Sequence, residues 1–233
     1  MPKPLNLGFQ EATIIPQYII SSSLTDYASE FGISLSEKDI SRFGVYLQEL
    51  KLWNEKFNLT AIRDDRDIVI KHFLDSLTPC RLIPPGSKIL DIGSGAGFPG
   101  IPLKIAIPSL NVTLLDSVNK KVSFMKHIIS ELGLTGIEAI HVRAEDLAKT
   151  RKGEFDIVIS RALASLAEFI KIGGPFLKPD GRLLAMKGSR AEEEVEAAAD
   201  IMKKKGMRIR SIEKLSLPLG AGDRGILVLE WAD

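Results

Sequence analysis

The feature that most restricts the fold of this chain is an alternation of strand and helix patterns that begins after Gly86. Short apolar runs, typical of buried strands, take turns with segments whose apolar residues recur at helical spacing. Repeated βα units place successive strands parallel in one sheet, with helices on both of its faces. The sequence therefore predicts a doubly wound α/β fold.

Seven strands are expected in this sheet. The first five are "KILDIG", "NVTLLD", "IEAIHV", "FDIVIS" and "GRLLAMKG". The last two, "MRIRSIEKLSL" and "RGILVLEW", are separated only by the short loop "PLGAGD". Two strands joined by a short loop pair antiparallel. We therefore predict a seven-stranded, mostly parallel sheet that ends in an antiparallel hairpin.

The part of the chain before this alternation has helical patterns. In "SEKDISRFGVYLQELKLWNEKF", Ser36 is a candidate N-cap and Asp39 follows at capping-box spacing. The apolar stripe of this helix consists of Ile40, Phe43, Leu47 and Leu50. We also expect an earlier helix in "IIPQYIISSSLTDYASEFGI", ending near Gly32, and a shorter one in "DIVIKHFLDSL" before the turn "IPPGS". These patterns predict an N-terminal helical region, 1–85, and an α/β domain, 86–233.

Composition excludes several classes of protein. Apolar residues make up 45% of the 233 residues, which is enough for a sizeable core, and the formal net charge is +1. The only cysteine, Cys80, excludes an internal disulfide framework and fits a reducing compartment. No signal peptide or membrane-spanning run is visible. We expect a soluble cytoplasmic protein without membrane association.

The end of the first strand carries the strongest ligand signal. "LDIGSGAGFPG" places Gly93, Gly95 and Gly97 at the sheet edge where open α/β folds bind ligands. "GAGFPG" matches a dinucleotide motif, and Asp116 at the end of the second strand could hold a ribose, so an NAD-dependent oxidoreductase is one alternative. Asp91 argues against it, because a carboxylate directly before the loop repels a pyrophosphate. S-adenosylmethionine (SAM), which carries two cationic groups and a ribose but no phosphate, fits Asp91 and Asp116 better.

Two further segments follow strand ends at the same edge. Ala144 and Glu145 come after the third strand, where an adenine could be bound. Ser160 and Arg161 end the fourth strand, where a methyl acceptor would lie. No Asn/Asp-Pro-Pro-aromatic or Pro-Cys motif is present there, so we expect neither a general base nor a covalent nucleophile. This favours an acceptor atom with a free lone pair, such as guanine N7, with Arg161 as an orienting catalytic residue.

Several motifs together resemble the GidB/RsmG family of bacterial methyltransferases, which act on guanine N7 in small-subunit ribosomal RNA. They are "WNEKFNLTAIRD", "HFLDSL", "DIGSGAGFPGIPL", "VTLLDSVNKKVSFM", "VRAEDL" and "SRALASL". The resemblance implies a class I SAM-dependent methyltransferase fold and 16S rRNA or the small subunit as partner, with no metal. A non-catalytic RNA-binding assembly factor is the other alternative.

The resemblance also assigns roles to residues. It implies cofactor contacts at Gly93, Phe98, Asp116, Ser117, Val118, Ala144, Glu145 and Arg161. It implies that Asn58, His72, Lys187 and Arg190 face the RNA.

Overall fold

The computed structural model describes residues 24–161, 163 and 165–232. The N-terminal helices are α1, Thr25–Glu30, and α2, Glu37–Phe57. A third helical segment runs without interruption through α3, Asp65–Ile68, a π-helical turn, Val69–Leu74, and α4, Asp75–Leu77. The sequence predicted this last helix but not its π turn. The predicted start of the first helix lies outside the described residues.

Helix α2 begins and packs as its sequence predicts. Ser36 and Asp39 form a reciprocal capping box, in which the Ser36 hydroxyl accepts from the Asp39 N–H and the Asp39 carboxylate accepts from the Ser36 N–H. Phe43, Leu47 and Leu50 of the predicted stripe are fully buried. Cys80 is also buried, and burial raises the pKa of its thiol to about 12.

Seven strands form one sheet, as predicted. They are β1 Lys88–Ile92, β2 Asn111–Asp116, β3 Ile137–His141, β4 Phe155–Ser160, β5 Leu177–Lys187, β6 Met207–Leu217 and β7 Gly222–Trp231. Their order is β3-β2-β1-β4-β5-β7-β6. The pairs among β1 to β5 are parallel, whereas β7 is antiparallel to both β5 and β6. The carboxyl ends of β1 and β2 therefore lie side by side, next to β4.

The remaining helices cover the sheet. They are α5 Gly100–Ala106, α6 Asn119–Glu131, α7 Ala144–Leu147, α8 Leu166–Gly173, α9 Ala191–Ala197 and α10 Ala199–Lys205. The segment "EEEVEAAADIMKKKG" predicted one helix, but the structure divides it at Ala198, which is buried in the core. None of the described helices combines the length and the apolarity that crossing a bilayer requires.

Buried apolar residues form two clusters, one on each face of the sheet. The first contains Ile89 and Leu114 of the sheet together with Phe43 and Tyr46 of α2. The N-terminal helices thus share a core with one face of the sheet, and this packing brings α2 and the π turn against the loop after β1.

Candidate cofactor and acceptor site

A cleft of about 830 Å³ opens at the carboxyl ends of β1, β2 and β3. Its volume is within the range of small-molecule sites. Six of the residues predicted to bind a cofactor line it: Gly93, Asp116, Ser117, Val118, Ala144 and Glu145. The strand order explains this grouping, because residues far apart in the chain follow neighbouring strands.

Asp116 organises the floor of the cleft. Its Oδ2 accepts a hydrogen bond from the Gly95 N–H at 2.9 Å, and its Oδ1 accepts one from the Val118 N–H at 2.8 Å. The Lys121 ammonium lies 3.9 Å from Oδ2. Each carboxylate oxygen has a further lone pair, so Asp116 can hold the glycine loop and still accept from a ligand hydroxyl.

The glycine loop needs glycine for steric reasons. Gly97 has φ of +97°, and a Cβ there would lie 2.4 Å from Ile101 Cδ1 and 2.8 Å from Tyr46 Oη. The Tyr46 hydroxyl donates to the Ala96 carbonyl at 2.5 Å, so helix α2 holds the loop from behind. Gly95 also has positive φ, but a Cβ there would meet open space except for the Gly93 carbonyl at 4.0 Å. The loop therefore leaves its backbone accessible at Gly95.

Asp91 lies behind the loop and does not line the cleft. It is fully buried, and its Oδ2 accepts from the Gly100 N–H at 2.9 Å. Within the described part of the chain, its Oδ1 is the buried side-chain polar atom that lacks a hydrogen-bond partner. Burial raises the pKa of Asp91 to about 8, against the opposing effects of the Gly100 hydrogen bond and the Arg161 charge.

Arg161 belongs to a second group of residues, at the end of β4, which neighbours β1 on the side opposite to β2. Its guanidinium donates to the Lys71 carbonyl at 3.0 Å and to Asp75 Oδ2 at 3.1 Å. It also donates to His72 Nδ1 at 2.9 Å and lies 5.3 Å from the centre of the Phe98 ring. The structure thus brings Phe98 and Arg161 together, and neither of them is among the residues that line the cleft.

The four residues predicted to face RNA have different environments. Asn58 is exposed at the end of α2 in the left-handed conformation, with φ of 49° and ψ of 60°, and Arg190 is exposed before α9. The Lys187 side chain is mostly buried, and its ammonium contacts Glu194 Oε2 at 2.8 Å and the Leu163 carbonyl at 3.0 Å. His72 is 8% exposed.

Sequence reasoning assigned no role to Asp75 or Arg224. The buried Asp75 carboxylate accepts from Arg161 through Oδ2 and from Arg224 Nε through Oδ1 at 2.9 Å, so one carboxylate joins the ends of β4 and β7 to α4. The acid within the apolar run "HFLDSL" could have indicated a buried ion pair, because a buried carboxylate requires cationic or hydrogen-bonding partners. No group of three or more metal-ligating side chains is found among the described residues.

Comparison with solved structures identifies the fold. The chain superposes on a SAM-dependent methyltransferase from Aquifex aeolicus with a TM-score of 0.55 and 19% identity, covering 71% of this chain and 94% of that one. It superposes on TYW2 from M. jannaschii, solved in complex with AdoMet, with a TM-score of 0.54 and 17% identity over 68% and 75% of the two chains. The fold is that of the class I SAM-dependent methyltransferases, as predicted.

Sequence comparison then gives the family. Residues 39–223 match the model of GidB, rRNA small subunit methyltransferase G. The ribosomal RNA small subunit methyltransferase G of Geotalea uraniireducens is 43% identical over 203 residues, covering 87% of this chain and 93% of that protein. The protein of the same name from Staphylococcus carnosus is 39% identical over 212 residues, covering 89% and 88%. The chain belongs to the GidB family of ribosomal RNA methyltransferases, which confirms the predicted resemblance.

Proposed function

We propose that this protein transfers the methyl group of SAM to N7 of a guanine in the 16S RNA of the small ribosomal subunit. The observation that carries the proposal is the cleft at the β1–β2 edge, with Asp116 on its floor, in a chain that matches rRNA small subunit methyltransferase G over residues 39–223. The relatives are named ribosomal RNA small subunit methyltransferase G, and this name indicates small-subunit RNA as the substrate.

The residues of the cleft fit SAM. Asp116 would accept from the ribose hydroxyls, the backbone of Gly93, Gly95 and Gly97 would lie against the methionine part, and Ser117 and Val118 would flank the ribose. Ala144 and Glu145 would bind the adenine edge. The cofactor contact predicted for Asp91 stays a prediction, since this residue is fully buried behind the loop. Because burial raises the pKa of Asp91 to about 8, its charge does not discriminate against a pyrophosphate. The match of residues 39–223 to rRNA small subunit methyltransferase G supports SAM over a dinucleotide.

On the acceptor side, the chain has to orient the base rather than deprotonate it. Bound SAM supplies an electrophilic methyl group, and guanine N7 already presents a lone pair. Arg161 is held against the Phe98 ring by three hydrogen-bond acceptors and cannot act as a proton acceptor. Alignment of donor and acceptor atoms would then provide most of the rate enhancement. We propose Arg161 as the residue that orients the base or the cofactor.

For RNA contacts, the exposure of Asn58 and Arg190 supports their predicted role. Lys187 would have to leave Glu194 to reach a phosphate, and the buried His72 is better suited to a role inside the protein. We also propose that 1–85 is a helical region that shapes the RNA-facing side, and that 86–233 is the methyltransferase domain. The position of every strand after residue 86 supports that division.

Methyl transfer tests the proposal. The purified chain is incubated with methyl-labelled SAM and with small-subunit particles or 16S RNA from cells that lack this methyltransferase, and the RNA is digested to nucleosides. We expect label in 7-methylguanosine, and much less label with Asp116→Ala. Label in another nucleoside would refute guanine N7 as the acceptor, and an absence of label on both substrates would refute the proposed activity.

A further inference from the structure

His72 lies inside the protein between the loop after α2 and the loop after β1. Its ring stacks on Phe98, with ring centres 4.6 Å apart and planes at 14°. Phe98 in turn stacks on Tyr46 of α2 at 5.4 Å and 18°. His72 therefore contacts the glycine loop through a side chain of that loop, and its position is fixed by packing on a flat surface.

The hydrogen bonds of His72 determine the tautomer of its ring. Nδ1 lies 2.9 Å from an Arg161 guanidinium nitrogen, which can only donate, so Nδ1 is an unprotonated acceptor. The proton of a neutral ring is then on Nε2, which donates to Thr60 Oγ1 at 2.7 Å. Burial and the Arg161 charge lower the pKa of His72 to about 3, which agrees with a neutral ring at physiological pH.

The π turn that carries His72 prepares a second acceptor for Arg161. In an α-helix the Asp75 N–H would bond to the Lys71 carbonyl, but here it bonds to the carbonyls of Ile70 and His72. The Lys71 carbonyl accepts from Arg161 instead. Lys71, His72 and Asp75 thus present three acceptors to one guanidinium.

Thr60 connects this arrangement to the exposed end of α2. Its Oγ1 also accepts from the Ile62 N–H at 3.2 Å, and its own N–H donates to the buried Asn54 side chain at 2.9 Å. Thr60 is two residues from Asn58, the proposed RNA contact. A hydrogen-bonded path therefore leads from the 58–62 loop through His72 to Arg161.

We infer that His72 is a positioning residue of this enzyme, which fixes the guanidinium of Arg161 through Nδ1 and links it through Nε2 to the 58–62 loop. The inference rests on the proposed function, because it assigns Arg161 to the acceptor side of a methyl transfer. It gives His72 a role that does not require contact with the RNA.

Two substitutions at residue 72 distinguish the roles of the two ring nitrogens. His72→Asn places an amide oxygen near the position of Nδ1 and can still accept from Arg161, whereas His72→Gln places an amide near the position of Nε2 and keeps only the Thr60 contact. We expect kcat per SAM-binding site to fall about tenfold or more in His72→Gln, since a hydrogen bond to a charged group is lost, and to fall clearly less in His72→Asn. His127→Gln, which alters a surface histidine paired with Glu49, is the matched control.

A double-substitution cycle tests whether His72 acts through Arg161. In an Arg161→Lys background, His72→Gln should lower kcat by less than about twofold, because the partner that it positions is already lost. An undiminished effect of His72→Gln in that background would overturn the inference, as would a kcat per SAM-binding site equal to that of the wild type in His72→Gln alone. A wild-type kcat in Arg161→Lys would instead refute the proposed role of Arg161.

An NMR measurement tests the inference without reference to activity. The chain has three histidines, so the ¹⁵N signals of the His72 ring can be assigned by its substitution. We expect a neutral ring with the proton on Nε2 that does not titrate between about pH 5 and pH 8. A ring that titrates near its ordinary pKa of 6.5, or that carries its proton on Nδ1, would contradict the positioning role.

Discussion

The carboxylate of Asp116, at the end of β2, accepts a hydrogen bond from the backbone N–H of Gly95 over 2.9 Å. The ribose-binding candidate and the glycine loop are therefore parts of one structure, since the same side chain also holds the Val118 N–H. A substitution at residue 116 should change the loop as well as remove a ligand contact.

Asp116→Ala is expected to weaken SAM binding more than Asp116→Asn does. Alanine removes both acceptors, whereas asparagine keeps one oxygen for the loop or for the ribose. We expect the dissociation constant for SAM to rise at least about tenfold with alanine, since hydrogen bonds to a charged group are lost. Equilibrium dialysis with labelled SAM measures the constant, and Glu192→Gln, an exposed acid paired with Lys214, is the control. Unchanged SAM binding by Asp116→Ala would remove the ribose assignment.

Gly100→Ala is expected to destabilise the fold. A Cβ at Gly100 would lie 2.3 Å from Leu114 Cδ2 and 2.9 Å from Asp91 Oδ2, both of which are buried. Overpacking of this kind costs about 1–3 kcal/mol of unfolding free energy. Gly44→Ala in α2 is the matched control, because a Cβ there meets nothing within 4 Å, and it should stabilise the chain by about 0.5–1 kcal/mol. Denaturant titration measures the free energy of unfolding of both variants, which should fall in Gly100→Ala and rise in Gly44→Ala. The same change in both variants would contradict the packing described around Gly100.

Asp75→Ala is expected to destabilise the chain and to release two arginines. The carboxylate, which is 5% exposed, is the shared partner of Arg161 and Arg224, whose side chains are 21% and 23% exposed. Removing one partner of a buried ion pair costs about 3–5 kcal/mol, and the partial exposure of the arginines reduces our expectation to about 2–3 kcal/mol. Chemical denaturation gives the value. A loss below about 0.5 kcal/mol would mean that Asp75 does not hold β4 and β7 to α4.

The sheet and its hairpin could be predicted because strand and helix periodicity alternate along the chain. The cleft could be predicted because Gly93, Asp116 and Ala144 each lie at or shortly after the carboxyl end of a strand, and the strand order brings them together. The grouping of Arg161 with His72 could not, because it depends on the packing of the π turn against β4, and a π turn has no signature in the residue pattern. The break at Ala198 was missed for a similar reason, since both halves of that segment have helical sequences.

Asp91 should make the stability of the chain depend on pH. Its pKa is about 8 in the folded chain, above its ordinary value of 3.8, so between these values the folded state keeps a proton that the unfolded state releases. Stability from this group is therefore complete below about pH 4 and falls as the pH rises toward 8, by up to about 1.4 kcal/mol per pH unit. Asp91→Asn lacks this proton, so the free energy of unfolding of the wild type should fall relative to that of the variant from about pH 5 to pH 8. Parallel pH profiles for the two proteins would show that Asp91 is ionised in the fold.

The most direct test of the central claim is a crystal structure of the chain grown with SAM. The account predicts one SAM molecule in the cleft at the ends of β1, β2 and β3, with its ribose hydroxyls within hydrogen-bonding distance of the Asp116 carboxylate. SAM bound elsewhere, or a cleft that stays empty at saturating SAM while it accepts NAD, would contradict the claim.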